Sequence, residues 1–162
     1  MKIKFFAIGG TIDKVYFDAL STYQVGPPGI ENILREARVN FDYEVVSLLK
    51  KDSLDMTPED RELIYEAISK EQIEHIVITH GTDTMIETAI RLKEINQKVI
   101  VITGAMEPAC FKSSDASFNL GSAVAAVQTL PSGVYIAVNG RVFDPTKIKK
   151  DRNLKQFVEK LD

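Results

Sequence analysis

Three short apolar runs constrain the fold more than any other feature of the sequence. They are Ile3-Lys4-Phe5-Phe6-Ala7-Ile8, His75-Ile76-Val77-Ile78-Thr79 and Val99-Ile100-Val101-Ile102. Each is rich in β-branched or aromatic residues, and each stops at a pair of small or polar residues that contains glycine: Gly9-Gly10, His80-Gly81 and Thr103-Gly104. A run such as Ile76-Val77-Ile78 has no polar face to offer water. It predicts a strand buried on both sides, as in parallel sheets. Tyr43 to Leu49 and Val134 to Val138 predict two further strands.

Helical signals alternate with these strands. Residues 29–37 have helical spacing. Thr57-Pro58-Glu59-Asp60 is a helix start, with an N-cap hydroxyl, proline at the first helical position and acid in the first turn. Leu63, Ile64, Ala67 and Ile68 then share one face. Thr84 to Asn96 and the small-residue stretch Ser114 to Leu130 predict two more helices. Residues 13–28 contain Gly26-Pro27-Pro28 and keep no steady period, so they read as a long loop, of the kind that is often functional or mobile. Leu154, Phe157, Val158 and Leu161 predict an amphipathic closing helix over about 151–161.

Alternating β and α elements imply βαβ crossovers. The expectation is a single α/β domain: a doubly wound, mainly parallel sheet of about five strands with helices on both faces, of the flavodoxin-like type. Ligands of such sheets sit beyond the carboxyl ends of the strands. The functional loops are therefore expected at Gly9–Pro28, Lys50–Pro58, Thr79–Thr84 and Thr103–Asp115.

Composition removes several classes. A chain of 162 residues is about one domain. Twenty Lys plus Arg against 23 Asp plus Glu argues against a nucleic-acid partner. The single cysteine, Cys110, excludes an internal disulfide, and two histidines exclude a zinc-finger framework. The apolar runs, about six residues at most, are far short of the roughly 18 that span a bilayer. Phe5 to Ile8 is also too short for a signal-peptide core. A lone cysteine without an export signal predicts a cytoplasmic protein.

The strand-end loops are dense in hydroxyls and carboxylates. In Gly9-Gly10-Thr11-Ile12 the glycines permit a tight turn and close backbone approach, and Thr11 either caps that turn or faces a ligand. Asp52-Ser53-Leu54-Asp55 by itself reads as a solvated turn before a helix. Thr79-His80-Gly81-Thr82-Asp83-Thr84 is longer than helix capping requires, and it leaves backbone N–H groups able to meet an anion.

Gly9-Gly10-Thr11-Ile12 together with Val77-Ile78-Thr79-His80-Gly81-Thr82-Asp83-Thr84-Met85 resembles the paired signature of bacterial-type L-asparaginases. Further matches are Tyr23 with Val25-Gly26, Ile30-Glu31-Asn32, Asp52-Ser53 with Asp55-Met56, Gly104-Ala105-Met106 with Pro108, Phe118-Asn119-Leu120, and Val138-Asn139. The resemblance covers nearly the whole chain and only the larger, N-terminal domain of the family.

The resemblance implies hydrolysis of asparagine to aspartate and ammonia without a metal or cofactor. Thr11 matches the nucleophile, and Tyr23 the tyrosine that closes over the substrate. Thr82, Asp83 and a lysine form a Thr-Lys-Asp set. Counting on from Asn139 places that lysine at Lys150, with Lys147 and Lys149 close by. Ser53 matches the serine that holds the substrate α-carboxylate, and Asp83 also meets its α-ammonium. Gly10, Leu54, Asp55, Gly81 and Ala105 complete the expected substrate-binding set.

The chemistry is physically coherent. A threonine hydroxyl needs a base or a polarising neighbour to attack. A lysine drawn out of water can accept a proton, and Asp83 can orient it. Backbone N–H groups near Thr11 and Thr82 can meet the oxyanion. Which of Thr11 and water attacks first stays open.

Two departures stand out. The family's second domain has no counterpart here, which reads as a naturally short single-domain form. Leu54 stands where many relatives carry a polar residue. Both predict looser recognition of the amino-acid head, with Asp55 or a partner subunit supplying contacts and a homodimer or higher homo-oligomer as the assembly.

His75 reads as structural and His80 as support for its loop. Cys110 has no evident base, Lys147 to Lys155 is a basic face, and the acidic residues Asp13, Asp18, Asp42, Asp52 and Asp55 have no metal-like spacing. The alternatives are a non-catalytic small-amino-acid binding or regulatory module of the same fold and, less favoured, a nucleotide-binding protein. The latter lacks both G-x-x-x-x-G-K-[ST] and G-x-G-x-x-G.

Overall fold

A computed structural model describes residues 1–160. The strands are β1 (Lys2–Gly9), β2 (Lys14–Phe17), β3 (Thr22–Val25), β4 (Asp42–Lys51), β5 (His75–Thr79), β6 (Val99–Thr103), β7 (Gly133–Val138), β8 (Arg141–Phe143), β9 (Ile148–Asp151) and β10 (Gln156–Glu159). The helices are α1 (Ile30–Glu36), α2 (Pro58–Lys70), α3 (Met85–Leu92) and α4 (Ala116–Thr129). The central sheet has six strands in the order β4-β1-β5-β6-β7-β8. Its first five are parallel and β8 runs antiparallel to β7. The doubly wound, mainly parallel sheet expected from the sequence is present.

Burial on both faces explains the apolar runs. Ile76, Ile78, Ile100 and Ile102 meet Ile64 and Ile68 of α2 and Met85, Ala89 and Leu92 of α3. Val77, Val99 and Val101 meet Ile30 and Leu34 of α1 and Leu120, Ala123 and Val127 of α4. Fully burying each of the Val, Leu, Ile and Met side chains among them is worth about 1.5–3 kcal/mol. The start of α2 is a complete capping box between Thr57 and Asp60, with Pro58 in the first turn.

Three elements depart from the sequence reading. Residues 13–28 are not an unstructured loop. Lys14–Phe17 and Thr22–Val25 form an antiparallel hairpin in which Tyr16 opposes Tyr23, their rings 5.4 Å apart. Almost every residue of this ribbon is exposed or half-buried, so no face imposes an alternating pattern.

The sheet has a sixth strand, β8, beyond the five that the sequence predicts. Asn139 and Gly140 both have positive φ, 53° and 74°, and form the two-residue turn that joins Val138 to Arg141. Asn-Gly between the runs Ile136-Ala137-Val138 and Arg141-Val142-Phe143 is a hairpin signal that the sequence carries.

The closing helix is corrected to the antiparallel hairpin β9–β10. Asp151 Oδ1 accepts from the N–H groups of Asn153 and Leu154, which turns the chain where a helix would have continued. Lys155 sits at φ 50°. Phe157 is buried while Gln156 is exposed, which is strand alternation. Leu161 lies outside the described residues.

Candidate active site

The strand order places the switch point between β1 and β5, where the chain leaves in opposite directions. Gly10 has φ 85° and ψ −170°, a conformation essentially restricted to glycine. A Cβ on Gly10 would lie 2.4 Å from both Cα and N of Gly81, and one on Gly81 would lie 2.5 Å from Cβ and Oγ of Ser53. The loops after β1 and β5 therefore touch backbone to backbone at this point, and the loop after β5 packs against the Ser53 side chain of the loop after β4. Thr84 Oγ1 donates to the Ser53 carbonyl at 2.8 Å and pins the third loop to the second.

Lys150 joins this site from the far end of the chain. Its Nζ donates to Thr82 Oγ1 at 2.7 Å and to Asp83 Oδ1 at 2.9 Å. Thr82 is buried, and its own hydroxyl points to Met106 Sδ at 3.7 Å. Arg152 reaches the same Asp83 oxygen at 3.5 Å.

Strand register selects this lysine. Lys150 opposes Phe157 across β9–β10, so both point to the same side, and Ile148, two residues back, is buried on that side too. Lys149 is exposed on the opposite side, and Lys147 lies in the preceding turn. The hairpin itself is anchored by relayed amides. Asn119 donates to the Gly104 carbonyl and accepts from the Asn139 N–H, while Asn139 Oδ1 accepts from the Phe157 N–H. Asn119 and Asn139 appeared in the motif matches, but nothing in the sequence assigned them this anchoring role.

The remaining expected residues are distributed around this cluster. Thr11 opens a 3-10 turn and is half-buried, and its carbonyl accepts from the Lys14 N–H. Tyr23 is half-exposed on the hairpin, its ring packed edge-on against Tyr16 and Phe111. Among the described residues, no hydrogen bond joins Thr11 or Tyr23 to Thr82, Asp83 or Lys150. Ser53 is buried, Leu54 is 65% exposed and Asp55 is exposed. Ala105 puts its methyl into the core, so only its backbone is left to meet a ligand. No group of three or more His, Cys, Asp or Glu able to hold a metal ion occurs among the described residues.

Two buried titratable groups support the loops from behind. His80 Nδ1 donates to the Gly81 carbonyl at 2.8 Å, so Nε2 is left to accept from the Thr88 hydroxyl, also at 2.8 Å. Burial pushes the imidazole down from its ordinary 6.5 to about 4 and keeps it neutral. Asp13, passed over in the sequence, closes the base of the hairpin. Its Oδ1 accepts from the Gly29 N–H at 2.8 Å and its carbonyl from the Gly26 N–H at 2.7 Å. Burial raises its carboxyl from 3.8 to about 6, against the Gly29 hydrogen bond, which lowers it.

These two groups oppose each other in acid. Unfolded His80 takes up a proton near pH 6.5 that the folded chain refuses until about pH 4, so its contribution is lost as the pH falls through that window. Folded Asp13 binds its proton near pH 6, ahead of the unfolded chain at 3.8, so its contribution is gained as the pH falls through that window. Asp13→Asn keeps an acceptor for Gly29 and removes the carboxylate. It is expected to raise stability at pH 7 by on the order of 2 kcal/mol and to steepen the loss between pH 6.5 and 4. Urea midpoints measured from pH 4 to 8 test this, and parallel curves for the two proteins would refute it.

An α/β protein with a hydroxyl, an ammonium and a carboxylate clustered at its switch point is the class that fold and site define. The family model described as Asparaginase, N-terminal matches residues 2–156. The chain belongs to this asparaginase family. It is 38% identical over 155 residues to L-asparaginase 2-3 of Saccharomyces cerevisiae, covering 86% of this chain and 42% of that protein. It is 32% identical over 164 residues to the glutaminase-asparaginase of Pseudomonas fluorescens biotype A, covering 92% and 45%.

The thermostable L-asparaginase from Thermococcus kodakarensis superposes with a TM-score of 0.85 at 28% identity, over 98% of this chain and 51% of that one. The chain thus spans about half the length of the relatives it matches. No helix among the described residues is long and apolar enough to cross a membrane.

Proposed function

We propose that this chain hydrolyses the side-chain amide of L-asparagine, giving L-aspartate and ammonia. The observation that carries the reading is the Lys150 ammonium bridging Thr82 Oγ1 and Asp83 Oδ1 in a partly buried cluster. In this reading the Thr11 oxygen attacks the amide carbon. Its proton passes by way of Thr82 and Lys150 to the departing nitrogen, which leaves as ammonia. The resulting ester to Thr11 is cleaved by water, which restores the hydroxyl and releases the carboxylic acid. Backbone N–H groups near Thr11 and Thr82 receive the oxyanion. Ser53 holds the substrate α-carboxylate and Asp83 its α-ammonium. Gly10, Leu54, Asp55, Gly81 and the Ala105 backbone shape the pocket, and Tyr23 closes it.

The reading extends to assembly and compartment. Exposed Leu54 beside Ser53 favours a homodimer or higher homo-oligomer that covers the crevice. The free thiol of Cys110 favours a cytoplasmic setting. The related names include both asparaginases and glutaminase-asparaginases, which makes L-glutamine the first competing substrate to test.

Ammonia release is to be measured on L-asparagine, L-glutamine and small aspartyl amides. Activity on L-asparagine that disappears in Thr11→Ala with the fold intact is the expected result. A second reading, a binding or regulatory module on the same fold, is favoured by the lack of any hydrogen bond from Thr11 or Tyr23 to Lys150 among the described residues. Folded protein that releases no ammonia from any of these amides would establish it in place of the first.

A further inference from the structure

The hairpin that carries Tyr23 and the turn that carries Ser53 share one side chain. Asp52 Oδ1 accepts from the Leu54 N–H at 3.2 Å and so caps the turn Ser53–Asp55. Its other oxygen, Oδ2, meets the Lys14 ammonium at 2.6 Å, with both side chains a little over a quarter exposed. Lys14 is the first residue of β2, and its backbone N–H donates to the Thr11 carbonyl. A continuous path therefore runs from the Leu54 N–H through the Asp52 carboxylate and Lys14 to the backbone of Thr11. The pair lies along an open cleft of about 570 Å³ between the hairpin and the end of β4, bordered also by Tyr23 and Asp55.

We infer that Asp52 is a positioning residue: with Lys14 it holds the Thr11 turn and the hairpin root at a set distance from the Ser53 turn. The role rests on the asparaginase reading for its catalytic consequence, but the mechanical link is independent of it. A carboxylate that only capped a turn would need one oxygen, and a surface ion pair would have no reason to begin at a cap. Here each oxygen serves a different loop of the same crevice. Asp52 is also held in its ionised form. Partial burial raises its carboxyl, but the Lys14 contact, the Leu54 N–H and the nearby charge of Lys150 together outweigh that and lower it. It stays an acceptor on both sides.

Asp52→Asn separates the two jobs, because Asn Oδ1 can still cap Leu54 while the charge that holds Lys14 is gone. Asp52→Asn and Lys14→Met are each expected to speed hydrogen exchange of the hairpin amides of residues 14–25 by about two- to fivefold, the range of a partly exposed ion pair. The double variant should be no faster than either single one, and Lys14→Arg should restore the wild-type rate. Exchange rates that are unchanged, or that multiply in the double variant, would overturn the inference whether or not the protein is an enzyme.

On L-asparagine, both single variants are expected to lose roughly ten- to hundredfold in kcat with KM moved much less, since the group displaced is the attacking one and not the α-carboxylate site. A loss confined to KM would contradict the positioning role. A wild type inactive on every amide would sink the proposed function and leave the exchange experiment to decide the link.

Discussion

Thr82→Val is expected to reduce ammonia release from L-asparagine by about a hundred- to ten-thousandfold, the usual span for removing a proton-transfer partner. The substitution is nearly isosteric, and Thr82 is buried, so the methyl fills the space that the hydroxyl leaves. Lys150 loses one of its two acceptors and keeps Asp83. Stability should change little for that reason, and circular dichroism with a thermal melt will separate lost chemistry from lost fold.

The companion variant Lys150→Met removes the same link from its other end and is expected to cost a similar factor. The double variant should be hardly worse than either single one, because groups that act as a unit are strongly non-additive. Thr82→Val protein that keeps more than a tenth of wild-type turnover would mean that the Thr82–Lys150 contact is architectural. Proton transfer would then have to be sought elsewhere in the crevice.

Gly10→Ala is the second large effect, and it acts on folding. The added methyl would lie 2.4 Å from backbone atoms of Gly81, which cannot step aside as the tip of a flexible side chain would. The backbone at Gly10 is also in a region that L-residues avoid. Conformational strain of about 1–3 kcal/mol and overpacking of about 1–3 kcal/mol both apply. The sum lowers the melting temperature by roughly 5–20 °C for a chain of this size.

Gly121→Ala is the matched control. Gly121 lies inside α4, and a methyl there would meet nothing within 4 Å. That variant should gain about 0.5–1 kcal/mol from helix propensity alone. A Gly10→Ala protein that melts with the wild type would show that the loops after β1 and β5 do not touch. The candidate site would then lose its floor.

The strands that carry the site were legible because their burial leaves a mark in one dimension. Ile76-Val77-Ile78 has no polar residue, since both faces of β5 are covered by helices. Where an element is not buried, that mark is absent. The hairpin Lys14–Phe17 and Thr22–Val25 stands outside the core, so it read as loop. The spacing of Leu154, Phe157 and Val158 matched a helical period by coincidence. Asp151 and its turn hydrogen bonds decided for a hairpin, a choice made over a few residues and invisible to a period count.

The candidate site divides in the same way. The loops that hold Gly10, Thr11, Gly81, Thr82 and Asp83 could be named from the sequence, because a doubly wound sheet brings the loops after its strands to one edge whatever their composition, and the family resemblance picked out the residues within them. The resemblance counted to Lys150 among three neighbouring lysines, but why that one enters the crevice is a matter of three dimensions. The β9–β10 register turns Lys150 inward with Ile148 and Phe157 and leaves Lys149 in water. The contacts of Asp13 and Asp52 are of that second kind, and so are the two hydrogen bonds through which His80, legible as loop support, acts. A sequence records that a residue is polar, but burial, and which atoms stand within 3 Å of it, depend on contacts between segments far apart along the chain.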